Sequence, residues 1–151
     1  MDAVNDGDLS EPQRHVGNLI RRAQQLHLAT WTRVASAEIT SAQYSILLVL
    51  ERRGEASQRE LCDEVDLDRS TIADLVRRMQ NAGLITRERS AGDARRNVVR
   101  LTELGAAERA RLAPLVVEVQ RELTGHLAAA EADALFHGLQ AMLERRSSVE
   151  E

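Results

Sequence analysis

The sequence predicts a mainly α fold with one small β-hairpin, and three observations carry that prediction. Apolar residues recur at helical spacing along most of the chain. Residues 84–88 and 97–101 alternate instead, with a polar, glycine-containing segment, 90–96, between them, so they read as two short strands and their turn. The stretch just before them, opening at Asp68, sets arginines opposite an apolar stripe.

Each element can be justified in turn. Residues 1–11 read as a flexible tail. From Pro12 the stripe Val16, Leu19, Ile20, Ala23, Leu26, Trp31 and Val34 predicts a helix to about Ala37. Thr40 with Gln43 three residues later is a capping box, opening a second helix through Tyr44, Leu47, Leu48 and Leu50 that stops near Gly54. Ser57 with Glu60 repeats the device for a short third helix carrying Leu61, Cys62 and Val65. Asp68 caps a fourth, whose inward side is Ile72, Leu75, Val76 and Met79 and whose end is Gly83. After the hairpin, Thr102 caps a long fifth helix with the stripe Leu112, Leu115, Val116, Val119, Leu123 and Leu127. Pro114 lies inside it and predicts a kink. A last helix from about Ala130 carries Leu135, Phe136, Leu139, Met142 and Leu143. Residues 40–101 then form a central lobe, with helices at 12–37 and 102–147 flanking it. One small lobe offers those flanking stripes little to cover. Burial against a second copy of the chain is the economical solution, and a twofold dimer is its commonest form.

Composition limits the function classes. Hydrophobic residues at 43% of 151 suffice for a core. Aromatic content of 2% argues against base-stacking platforms for single strands. No apolar run approaches the roughly 20 residues that span a bilayer. Residues 1–8 are acidic and polar, unlike a signal peptide. A single cysteine suits a reducing cytoplasm. His15, His27, His126 and His137 are scattered without zinc-ligand spacing. No nucleophile triad, phosphate loop or paired carboxylates stand out, so neither an enzyme nor a cofactor is expected.

The net charge of −4 looks wrong for a partner of nucleic acid until it is resolved along the chain. Between Asp68 and Arg100 eight arginines face four acids, a local +4, and the rest of the chain carries −8. Phosphate attraction is local, because charges beyond about 8–10 Å are screened at physiological salt. The fourth helix turns Arg69, Ser70, Ala73, Asp74, Arg77 and Arg78 outward. Arginine forks onto guanine or clamps a phosphate, and Ser70 or Thr71 does either more weakly. Gln58, at the start of the third helix, is placed to touch the backbone. In the hairpin tip, Arg95 or Arg96 can enter a minor groove, while Asp93 pairs with a neighbouring arginine and shapes the turn. These are the parts of a winged helix-turn-helix. The bland alternative is a solvated amphipathic helix beside a charged surface turn.

The segment from Asp68 to Gly105 carries a combined pattern: Asp68-x-Ser70-Thr71, then Ala82-Gly83-Leu84-Ile85-x-Arg87, then Asp93-x-Arg95 and Leu101-Thr102-x-x-Gly105. It resembles the MarR family of bacterial transcriptional regulators, and the helix order resembles that family over nearly the whole chain. The resemblance implies a homodimer with interlocking terminal helices on a pseudo-palindromic double-stranded DNA operator. It also implies a small-molecule pocket between the dimer helices and the DNA-binding lobe, and a cytoplasmic, nucleoid-associated location.

A narrower resemblance lies in the first helix. Residues 21–31 are similar to the first helix of PcaV-type members, which respond to protocatechuate. The resemblance assigns Arg21, His27 and Trp31 to the effector pocket, with Tyr44 a weaker candidate. Arg21, His27 and Trp31 fall within roughly 120° of one another around the first helix, and arginine for a carboxylate, histidine for a carboxylate or phenol and tryptophan for a ring suit an aromatic acid. Each has a plainer explanation: Trp31 as core, His27 as an interface histidine, Arg21 as half of an ion pair. The expected function is a repressor released by a small aromatic acid such as protocatechuate or a hydroxybenzoate. Its rivals are the same fold sensing an aryl-CoA thioester, a drug or an oxidant through Cys62, and a winged-helix module that binds protein.

Overall fold

Side-chain caps decide where the helices of this chain begin. The computed structural model describes residues 11–147, and the side chains of 93–96 and 145–147 lie outside the description. A 3₁₀ turn at Pro12–Arg14 leads into α1 (Val16–Val34), which lacks a side-chain cap. Helix α2 (Ser41–Arg53) opens on a reciprocal box: Thr40 Oγ1 accepts from the Gln43 N–H at 3.2 Å and Gln43 Oε1 from the Thr40 N–H at 2.9 Å. Ser57 and Glu60 do the same for α3 (Gln58–Val65). Asp68 opens α4 (Arg69–Asn81) and Thr102 opens α5 (Glu103–Thr124), each accepting from the amide three residues on. Every one of these bonds satisfies a helix donor that has no partner inside its helix. Helix α6 (Ala129–Ser147) completes the order.

Helix ends follow equally local causes. Gly54 and Gly83 leave α2 and α4 at φ of +79° and +76°, where a Cβ would be strained. Helix α1 stops short of the expected Ala37, because Ser36 Oγ accepts from the Glu38 and Ile39 amides and turns the chain away. Helix α5 runs as one helix through Pro114.

Between α4 and α5 lie β2 (Ile85–Ser90) and β3 (Asp93–Leu101), antiparallel, with Ile85 opposite Leu101 and Arg89 opposite Asn97. The register shifts after Arg89, and the pairing runs out to Ser90 opposite Asp93. The expected turn over 90–96 therefore narrows to Ala91 and Gly92. Main-chain bonds hold a hairpin that projects past the core, so its tip needs no apolar side chains to stay paired. A third strand, β1 (Ala56–Ser57), was not anticipated. It adds to the other side of β3, giving the order β1-β3-β2. Two residues are too few to show an alternation, but Ala56, nearly fully buried, seats that strand on the core.

The core sits where α2, α3, α4 and the sheet meet α5. Ile46, Leu47, Leu50, Leu61, Ile72, Val76, Met79, Ile85, Val99 and Leu112 are fully buried there. Leu75, expected on the inward side of α4, is half-buried at its margin. By contrast, α6 keeps Leu135, Phe136, Leu139, Met142 and Leu143 exposed, and α1 does the same with Val16, Leu19 and Ile20. Among the described residues, no helix is long and apolar enough to cross a membrane.

Candidate nucleic-acid interface and effector site

Burial of Ile72, Val76 and Met79 fixes the outer face of α4, leaving Arg69, Ser70, Ala73, Arg77 and Arg78 exposed and Thr71 and Asp74 half-buried. These residues do not stand as independent contacts. The Asp68 carboxylate that caps Thr71 at 2.7 Å also accepts from Ser70 Oγ at 2.9 Å, so the serine hydroxyl is tied into the helix start. Those bonds, the Thr71 amide first, hold the Asp68 carboxyl below the usual range. Asp74 takes Arg77 on one carboxylate oxygen and Arg78 Nε on the other at 2.8 Å.

On the sheet, Arg100 pairs with Glu55, just before β1, and with Glu88 of β2 at 3.6 Å. The local positive charge therefore divides. Arg77, Arg78 and Arg100 are engaged, whereas Arg69, Arg87 and Arg89 have no partner among the described residues. Arg87 and Arg89 occupy the exposed strand β2 beside α4, and sequence reading missed both as DNA candidates; strand register is the signal that picks them out. Gln58 is the first residue of α3 and half-buried. Asp93, Arg95 and Arg96 fall on β3 at the hairpin tip, and their side chains lie outside the described residues.

The α2–α3 step behind this face is braced. Arg53 bridges Glu60 at 2.9 Å and Glu64 at 3.0 Å, and Arg52 also pairs with Glu64. The two arginines push the Glu64 carboxyl down, Arg52 first. Further ion pairs, Arg109 with Glu51 and Arg33 with Glu122, tie α5 to α2 and α1.

The proposed effector residues split into two groups. His27, Trp31 and Tyr44 come together. The His27 and Trp31 rings meet edge-on with centroids 6.2 Å apart, and Trp31 and Tyr44 lie 5.7 Å apart with planes tilted by 53°. Trp31 and Tyr44 are buried and His27 half-buried. The Trp31 indole N–H donates to the Ile39 carbonyl at 2.7 Å, so tryptophan offers its ring but not its N–H. Arg21 lies outside this array, about 9 Å further along the helix axis. It is exposed and donates to Asn18 at 2.7 Å and Gln25 at 3.3 Å. Cys62 is a half-buried thiol packed against the core. Among the described residues no His, Cys, Asp and Glu cluster could hold a metal ion.

Comparison with known proteins decides the family. Residues 37–96 match the MarR family. The HTH-type transcriptional repressor NicR of Pseudomonas putida is 33% identical over 130 residues, covering 85% of this chain and 82% of NicR. The chain belongs to the MarR family. It is a MarR-family transcriptional regulator with the winged-helix fold of that family, and not an enzyme. The structure of PcaV from Streptomyces coelicolor in complex with its natural ligand superposes with a TM-score of 0.82 at 36% identity, covering all of both chains. BpsR of Bordetella bronchiseptica, whose DNA binding is regulated by 6-hydroxynicotinic acid, gives a TM-score of 0.81 at 27% identity over 89% of this chain and 95% of that one.

Proposed function

We propose that this MarR-family regulator is a homodimeric repressor that a small aromatic carboxylic acid releases from a pseudo-palindromic operator. The carrying observation is the conjunction of the outward, arginine-bearing face of α4 with an aromatic array of His27, Trp31 and Tyr44 at the α1–α2 junction. Arg69, Ser70, Thr71 and Arg77 contact the major groove, Gln58 and Arg78 the backbone, and Arg95 and Arg96 the minor groove, with Asp93 shaping the wing. The exposed apolar faces of α1 and α6 support the dimer, and covering α1 with a second copy is what would enclose Arg21. There the guanidinium forks onto the effector's carboxylate while the aromatic array packs its ring. NicR's repressor activity and the response of BpsR to an aromatic acid favour this class of effector.

The acid acts by binding the conformer whose two α4 helices are mis-spaced for the operator, which draws the population away from DNA. Reciprocity then requires operator DNA to weaken acid binding by the same factor. The test is an anisotropy titration with duplex from upstream of the gene, across salt, with and without protocatechuate and hydroxybenzoates. Log affinity should fall linearly with log salt, by about 0.9 per neutralised phosphate. One of the acids should release the DNA, and Arg21→Ala should weaken that acid at least about tenfold, the loss expected for one charged hydrogen-bonded contact. Salt-insensitive binding would refute the DNA reading, and equal acid affinity in both proteins would remove Arg21 from the site.

A further inference from the structure

An acid occupies the centre of the face that should be most basic. At about 100° per residue, Asp74 falls almost opposite the buried trio Ile72, Val76 and Met79, so it stands at the middle of the outer face, half-buried between more exposed neighbours. Ser70 lies one turn before it, and Arg77 and Arg78 one turn after. Its side chain, 41% exposed, holds both arginines at once, one on each oxygen, with Arg78 Nε at 2.8 Å. A solvated helix ion pair would look similar in isolation, but this one engages two of the three arginines on the face and leaves Arg69 alone.

On a duplex of arbitrary sequence, arginines that swing to phosphates abandon the carboxylate in the strongly negative potential of the groove. The gain in phosphate contact is offset by an uncompensated acid. The offset disappears only where the DNA itself presents a donor to Asp74. In the major groove the exocyclic amino group of cytosine is such a donor, and a carboxylate accepts from it. One arginine is then released to fork onto a neighbouring guanine.

We infer that Asp74 is a specificity-determining residue, which withholds Arg77 and Arg78 from phosphates on arbitrary DNA and accepts from a cytosine amino group in each half of the bound site. This rests on the DNA reading proposed above and assigns its selectivity to one side chain.

The experiment uses the full chain as wild type, Asp74→Ala and Asp74→Asn. Bound duplexes are selected from a random library, and affinities are then measured for the wild-type-selected duplex and for a scrambled one across salt. The wild type should select cytosine at one position of each half-site. Asp74→Ala should bind the scrambled duplex about tenfold tighter, with a log–log salt slope steeper by about 1–2, as expected for one or two added phosphate contacts. Its selectivity ratio should fall about tenfold or more, the range of one lost base contact. The near-isosteric Asp74→Asn should move the preference from cytosine to adenine, which an amide pairs with best. Selective wild-type binding with the same slope and the same cytosine preference in Asp74→Ala overturns the role of Asp74 alone. A wild type that binds neither duplex at any salt overturns the DNA reading and this inference together.

Discussion

Gly105 has no room for a side chain. A Cβ there would lie 2.0 Å from the Leu84 carbonyl oxygen, and that oxygen is already accepting from the Thr102 N–H at 3.1 Å. Thr102 in turn caps α5 at the Gly105 amide and donates its hydroxyl to the Gly83 carbonyl at 2.6 Å. Leu101-Thr102-x-x-Gly105 is therefore a joint: the strand ends, the helix starts, and the end of α4 is pinned to both. Alanine normally favours a helix interior by roughly 1 kcal/mol over glycine. Here backbone must move instead, and Gly105→Ala should destabilise the protein by about 1–3 kcal/mol, the usual cost of overpacking. Urea unfolding checks this as a lower midpoint with an unchanged slope; equal or higher stability would mean that the joint yields.

Helix α4 carries a pH dependence in its first turn. The Asp68 carboxyl lies below its ordinary range because the Thr71 amide and then the Thr71 and Ser70 side chains favour the ionised form. A lowered folded value gives stability that is full above the unfolded value and lost as pH falls through the folded one. Asp68→Asn keeps a capping oxygen without the charge, so wild type should be the more stable at neutral pH. The difference should vanish once the pH is below the depressed folded value, as denaturant unfolding of both proteins across pH would record. A constant difference would place the effect in packing. The same element illustrates legibility. Its cap, stripe and stop were readable because each depends on residues within a few positions of one another. The double pairing of Asp74 was also within reach, since acid and arginines three and four apart share a helix face.

At the scale of the whole molecule the unburied surface is the conspicuous quantity. Phe136 is 57% exposed on α6 and Val16 53% exposed on α1, although both belong to stripes that read as buried in the sequence. A lone chain leaves these stripes in water, at roughly 25 cal/mol per Å² of apolar surface. Phe136→Glu combined with Leu139→Glu should therefore convert a dimer to a monomer in sedimentation and abolish operator binding, while the central lobe still unfolds cooperatively. A double variant that remains dimeric would move the interface away from α6. Arg109 of α5 pairs with Glu51 of α2 and ties that flanking helix to the lobe, while Arg33 of α1 pairs with Glu122 and ties α1 to α5.

The sequence by itself determined the order of helices, their caps, the hairpin and the outward face of α4, because periodicity and capping are short-range. It also carried the family through the run from Asp68 to Gly105. Only the tertiary structure decided three further things. Strand β1 pairs with β3 across the lobe, a contact between residues 56–57 and 98–99 that no local pattern encodes. The Trp31 and Tyr44 rings meet, a contact that depends on how α1 packs on α2, whereas His27 reaches Trp31 within one helical turn. The local charge of +4 divides into engaged and unengaged arginines, since Arg100 finds Glu55 only when the sheet closes. Long-range contacts are bought by the packing of the core, and sequence spacing carries no record of them.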